Sequence, residues 1–151
     1  MSAQFEDAET ALNYLMSGKA IVTIVSKKTG QRFTYKVERP PQDKKEGKPD
    51  FGFRFVKLLS GPDNTRNYTY MGKIRGRVYE HKYNGKLAYN ATSVVAFDWM
   101  LKQLVRGEIH SDKMEIWHEG RCGKCGKKLT VPSSIASGLG PECVKSAYRC
   151  I

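Results

Sequence analysis

The feature that most constrains this chain is Cys122-Gly123-Lys124-Cys125-Gly126, answered eighteen positions later by Cys143 inside Gly138-Leu139-Gly140-Pro141-Glu142-Cys143. Two cysteines two residues apart can turn both thiolates onto one metal, and the glycines around them allow backbone conformations that larger residues resist. The spacing predicts a structural Zn2+ site, the one cofactor expected here. Cys122, Cys125 and Cys143 supply three ligands of the closed tetrahedral shell such sites prefer. His118, four residues before Cys122, is the expected fourth ligand, and Cys150, next to the chain end, is the alternative. The alternative is a redox Cys-x-x-Cys or a buried thiol pair. A redox motif belongs at a helix start in a βαβ pattern, which this sequence lacks.

A metal staple also resolves a problem of size. At 151 residues the chain can build one domain with a hydrophobic core, but a C-terminal segment of about 40 residues is too short to fold on apolar burial alone. Zinc binding is worth about 10–16 kcal/mol at neutral pH and can fold such a segment. The expected division is an α+β domain over residues 1–112 and a zinc-binding module over 113–151. No stretch approaches the roughly 18 apolar residues of a membrane span, and the N-terminus lacks the features of a signal peptide. A cytoplasmic setting is expected, where thiols bind metal more readily than they pair.

The formal net charge is +11, and it is unevenly placed. Residues 26–86 carry sixteen bases against six acids and residues 121–151 six against one, whereas 1–25 and 87–120 are each net acidic. Cations concentrated in two segments favour a polyanionic partner, because neutralising phosphates releases counterions.

Periodicity along the chain predicts an antiparallel α+β fold of five or six strands with a helix at each end of the sheet sequence. Glu9 to Met16 reads as a helix capped by Asp7 and stopped by Gly18. Ala20 to Val25, apolar on both faces, reads as a central strand, and Arg32 to Val37 as its hairpin return across Gly30. Residues 39–50 read as a loop. Phe51 to Leu59 alternates with period two, placing Phe51, Phe53 and Phe55 on one face and Arg54, Val56 and Leu58 on the other. Asn67 to Arg75 follows with Gly72 as a bulge, then a strand through Val78 and an Asn84-Gly85 hairpin signal. Ser93 caps a helix from Val94 to about Arg106, closed by Gly107, and Lys113 to Trp117 is a last strand. An OB-like barrel fits this list as well as an open sheet does.

The basic segment interleaves cations with rings, the pattern of surfaces that stack bases and hold the backbone of a single strand. The candidate nucleic-acid-binding residues are Lys27, Lys28, Arg32, Arg54, Arg66, Tyr68, Tyr70, Lys73, Arg75 and Arg77, joined by Lys124 and Lys127 beside the cysteines. Tyr35, sharing a face with Phe33 and Val37, reads as core. No phosphate loop, nucleophile elbow or His-Glu-x-x-His motif occurs, so the sequence points away from an enzyme and offers no catalytic residue.

The run from Cys122 through Gly138-Leu-Gly140-Pro141-Glu-Cys143 resembles a small zinc-binding domain of unknown function found in phage, prophage and actinobacterial proteins. The likeness covers residues 118–144. The preceding Ser17-Gly-Lys-Ala-Ile21, Ser26-Lys-Lys-Thr-Gly30, Phe33-Thr-Tyr35 and Ser60-Gly-Pro-Asp-Asn64 are similar to small phage proteins that carry this module at their C-terminus. The resemblance implies a zinc site and a phage setting in a host cell, and no catalytic residues. Two functions compete: a phage-type accessory protein that binds nucleic acid, single-stranded DNA or RNA, and a module that inhibits or recruits a host defence or replication protein.

Overall fold

A computed structural model describes residues 3–39, 53–62, 67–123, 129 and 132–139. Its elements, in order, are β1 (Ala3–Gln4), α1 (Ala8–Leu15), β2 (Lys19–Ser26), β3 (Arg32–Glu38), β4 (Phe53–Leu59), β5 (Tyr68–Arg75), β6 (Val78–His81), α2 (Thr92–Val105), β7 (Met114–His118) and α3 (Pro132–Ser137). The strands form one antiparallel sheet in the order β1-β7-β2-β3-β4-β5-β6. Strands β2 to β6 are a meander. After α2 the chain returns to the far side of β2, so β7 is an inner strand between β2 and the two-residue β1. Among the described residues the sheet is open, with β1 and β6 at its edges, and no pairing closes it into a barrel.

The helices begin and end for local reasons. Asp7, extended at φ −118°, accepts the Thr10 amide at 2.9 Å and the Thr10 hydroxyl at 2.8 Å, which satisfies one of the open amides of the first turn of α1. Helix α2 starts earlier than Ser93 suggests. Ala91 is its N-cap and offers no side-chain bond, while Ser93 lies buried in the first turn. The backbone carbonyl of Ser93 accepts the buried Tyr35 hydroxyl at 2.5 Å, so this serine anchors the helix to the sheet. Asn84-Gly85 makes a turn, with the Gly85 amide on the Lys82 carbonyl, but no return strand follows; the chain proceeds into α2.

All the buried strand residues of the main core lie on one face of the sheet. Ala20, Val22 and Ile24 of β2, Tyr35 and Val37 of β3, Val56 and Leu58 of β4, Met71 and Ile74 of β5 and Ile116 of β7 meet Ala8, Ala11, Tyr14 and Leu15 of α1 and Val94, Phe97, Met100, Leu101 and Leu104 of α2. This is the layer logic of an α+β domain, in which each amphipathic element buries one face against the other. The register between β4 and β5 shifts between Val56 and Lys57, so Met71 is the extra residue of a bulge just before Gly72. The bulge lets Tyr68 and Tyr70 share the outer face with Lys73 and Arg75 despite their odd spacing.

Candidate functional site

The outer face follows from the register. Directly opposed residues of antiparallel strands lie on the same side. Rows across the sheet therefore read Thr23, Thr34 and Trp117; Ile21, Lys36, Lys57 and Tyr70; and Lys19, Glu38, Phe55, Lys73 and Glu80. Phe53 pairs with Arg75 beyond them, and Tyr68 with Leu59. None of these side chains belongs to the core, and all the rings among them are half-buried. The rings and cations are in direct contact. Lys36 Nζ sits 4.4 Å over the Tyr68 ring, and Arg75 and Lys73 lie 4.5 Å and 5.0 Å from the Phe53 ring centre. Phe55 and Tyr70 meet edge to face at 5.7 Å. Burial raises the Tyr70 hydroxyl above its ordinary pKa, and burial aided by Glu119 and Glu38 pushes that of Tyr68 up to about 12. Both phenols are neutral at physiological pH and put no anion where a phosphate would approach.

Some of the cations are already engaged. Lys57 pairs with Glu38 at 2.9 Å and Arg75 with Glu80 at 2.8 Å, whereas Lys19, Arg32 and Lys73 make no ion pair among the described residues. Within the strands, six bases (Lys19, Arg32, Lys36, Lys57, Lys73, Arg75) stand on this face against three acids (Glu38, Glu80, Glu115), and Arg121 and Glu119 beyond β7 add one of each. With a face net charge of only three, its rings matter more than its charge.

Of the residues singled out in the sequence, Tyr68, Tyr70, Lys73, Arg75 and Arg32 come together on this face. Lys27 and Lys28 are exposed in the β2–β3 turn, Lys27 reaching Glu115 at 3.5 Å, and Arg77 is exposed in the β5–β6 turn. Arg54 is a correction. Only 6% exposed, it points to the helix side, where its Nε donates to the Met16 carbonyl at 2.9 Å and holds the end of α1 against the sheet. Arg66, Lys124 and Lys127 lie outside the described residues. Phe53, Phe55 and Trp117 of this face were not singled out in the sequence. The period-two pattern of β4 separates Phe53 and Phe55 from Val56 and Leu58, but does not say which set faces water.

The second candidate is the cysteine segment, in which Cys125, Cys143 and Cys150 lie outside the described residues. Cys122 is fully buried with Leu129 and Leu139, against Ile135. So small a cluster cannot hold the segment by itself. The segment docks instead on Tyr14. A Cβ at Gly123 would come within 2.6 Å of the Tyr14 ring and one at Gly138 within 2.5 Å, so only glycine permits this approach. The Gly123 amide donates to Gly138 and its carbonyl accepts from Lys19 at the start of β2.

His118, the expected fourth ligand, is held by backbone groups on both sides of its ring. Its Nδ1 accepts the Gly120 amide at 2.9 Å, which leaves the ring proton on Nε2 to be donated to the Ile135 carbonyl at 2.5 Å. Both nitrogens are thus taken by backbone, and the ring is packed between Phe5 and Tyr14 at 5.2 and 5.3 Å. Burial holds its pKa below the ordinary value, against the opposing pull of the Ile135 bond. A metal bond would cost one of these hydrogen bonds inside a site 1% exposed.

Tyr14, which carried no signal in the sequence, proves central. Its hydroxyl accepts the Ile21 amide at 3.0 Å and donates to the Ile21 carbonyl at 2.9 Å. Strand β7 ends opposite Val22, so this hydroxyl takes the place of the next ladder partner of β2.

Residues 117–148, about a fifth of the chain, match the model of a family described as of unknown function (DUF6011). No curated protein and no solved structure matches the chain.

Proposed function

We propose that this chain is a phage-type accessory protein that binds single-stranded nucleic acid on the outer face of its sheet, with a structural zinc stapling its C-terminal segment. The observation that carries the reading is the clustering of Phe53, Phe55, Tyr68 and Tyr70 with Lys36, Lys73 and Arg75 on the face turned away from both α1 and α2. Phe55 and Tyr70, 5.7 Å apart on this face, offer ring surface to the bases of a single strand, and cations beside the rings sit where the backbone would run. Duplex DNA keeps its bases stacked internally and cannot use such rings, which is why a single strand is preferred.

The zinc would be held by Cys122, Cys125 and Cys143. With both nitrogens of His118 committed to backbone, Cys150 is the better fourth donor. Bound metal would supply folding energy to a segment whose own core is Cys122, Leu129 and Leu139, and would keep Arg121 in the wall of a pocket it shares with Lys19 and Lys36.

Salt-titrated binding to single-stranded and duplex oligonucleotides tests the reading. Tyr70→Ala is expected to weaken single-strand binding by about 1–3 kcal/mol and leave the salt slope alone, whereas Lys73→Ala shallows that slope by about 0.7. Thermal melts of both variants separate binding from folding. Equal affinity for duplex and single strand, untouched by either substitution, would favour a host-protein partner instead.

A further inference from the structure

A pocket of about 210 Å³ opens on the outer face at the end of the ring cluster, lined by Gly18, Lys19, Ile21, Lys36, Glu38, Glu119, Arg121 and the edge of Tyr14. It adjoins the stacking surface, because Lys36 both lines it and covers the Tyr68 ring. Its size lies below the roughly 300–1,000 Å³ of sites for whole small molecules, which suits one fragment of a longer ligand. Its wall mixes three cations, Lys19, Lys36 and Arg121, with two carboxylates, so it offers hydrogen-bond acceptors as well as donors, as a base edge requires and a phosphate does not. Glu38 is neutralised by Lys57 and Lys36, but Glu119 is exposed and makes no ion pair among the described residues, so its oxygens are acceptors awaiting donors. The Tyr68 hydroxyl, buried and without a partner among the described residues, lies within the electrostatic reach of both acids.

We infer that this pocket is a base-selective subsite that takes one guanine turned out of the stack, resting on the single-strand reading above. The chemistry selects the base. Guanine alone presents two adjacent donors on its pairing edge, N1–H and N2–H2, which one carboxylate can accept together. Its O6 is an acceptor that an ammonium such as Lys19 can meet, and the Ile21 side chain provides an apolar floor for the ring. Thymine and uracil offer one imino donor between two carbonyls, which would face Glu119 with repelling oxygens. In a single strand the pairing edge is free to be read.

The test compares an oligothymidine with the same strand carrying one central dG, dC, dA or deoxyinosine. One dG is expected to tighten binding about 5- to 150-fold over the all-thymidine strand, the span of one bidentate base contact. Inosine, which lacks the 2-amino group, loses most of that gain. Glu119→Gln is expected to abolish the guanine preference, so that the dG strand binds no tighter than oligothymidine on the same variant. Equal affinity for all the strands, with binding still sensitive to Tyr70→Ala, overturns the subsite and spares the stacking face. Loss of discrimination absent in Glu119→Gln does the same. No binding of any strand by the wild-type chain overturns both.

Discussion

Replacing Tyr14 by Phe removes one oxygen and tests how the fold is joined. The ring remains, so its contacts with Phe5 at 5.2 Å and His118 at 5.3 Å, and the close approach of Gly123 and Gly138, are kept. What is lost is a hydroxyl that serves the amide and the carbonyl of Ile21 at once. Leaving a buried polar group unsatisfied costs about 1–3 kcal/mol, and two are orphaned here. The adjoining pocket is lined by Tyr14 and Ile21, and a water entering from it would restore part of one bond, which brings the expected loss to about 2–4 kcal/mol. For a chain of this length that is a fall of roughly 5–15 °C in Tm. Denaturant unfolding gives the energy, and amide exchange gives the location, since Ile21 N–H should lose protection before its strand neighbours do. A loss under about 0.5 kcal/mol, or unchanged protection at Ile21, would refute the claim that this hydroxyl replaces a missing strand partner.

Other perturbations follow from the same structure. Gly138→Ala sets a Cβ 2.5 Å from the Tyr14 ring at a φ of +75°, so the C-terminal segment should undock and become cleavable by protease ahead of the sheet, and intact resistance would contradict the docking. His118 has a folded pKa below its unfolded value of about 6.5, so its contribution is full above that pH. As pH falls below 6.5 the unfolded chain takes up a proton the fold resists, and stability declines; His118→Leu should flatten this slope in unfolding curves between pH 7.5 and 5. Asp7 is shifted the other way, its carboxyl held down by the Thr10 amide and hydroxyl. Its cap is present above the usual carboxylate pKa and lost as pH falls through the lowered value. Asp7→Ala should cost about 1 kcal/mol near neutral pH and Asp7→Asn much less, as read by thermal melts. Elemental analysis of purified protein should find one zinc per chain, reduced by Cys150→Ser as strongly as by Cys122→Ser and retained by a His118 variant that folds.

How much of this could be read in advance depends on whether the deciding interaction is local. Asp7 and Thr10 are three residues apart, and the apolar alternation of β2 and β3 needs no partner to be seen, so α1, the β2–β3 hairpin and the central position of β2 were legible. The bulge before Gly72 was legible too, because glycine inside an alternating run weakens the ladder. The polarity of β4 was not. Its two faces carry Phe53 and Phe55 against Arg54, Val56 and Leu58, and hydrophobicity alone ranks the phenylalanines inward. The choice is settled by α1, whose last carbonyls need a donor that Arg54 supplies from the core side. Once that arginine is inside, the phenylalanines are outside, and the stacking face exists as its consequence. His118 follows the same logic. Its spacing to Cys122 is legible in the sequence, but the backbone amide two residues on and the carbonyl seventeen residues on that meet its nitrogens are not. Alternation predicts which residues share a face, and the tertiary hydrogen bonds of a few polar residues, Arg54, Tyr14 and His118, decide which face is which.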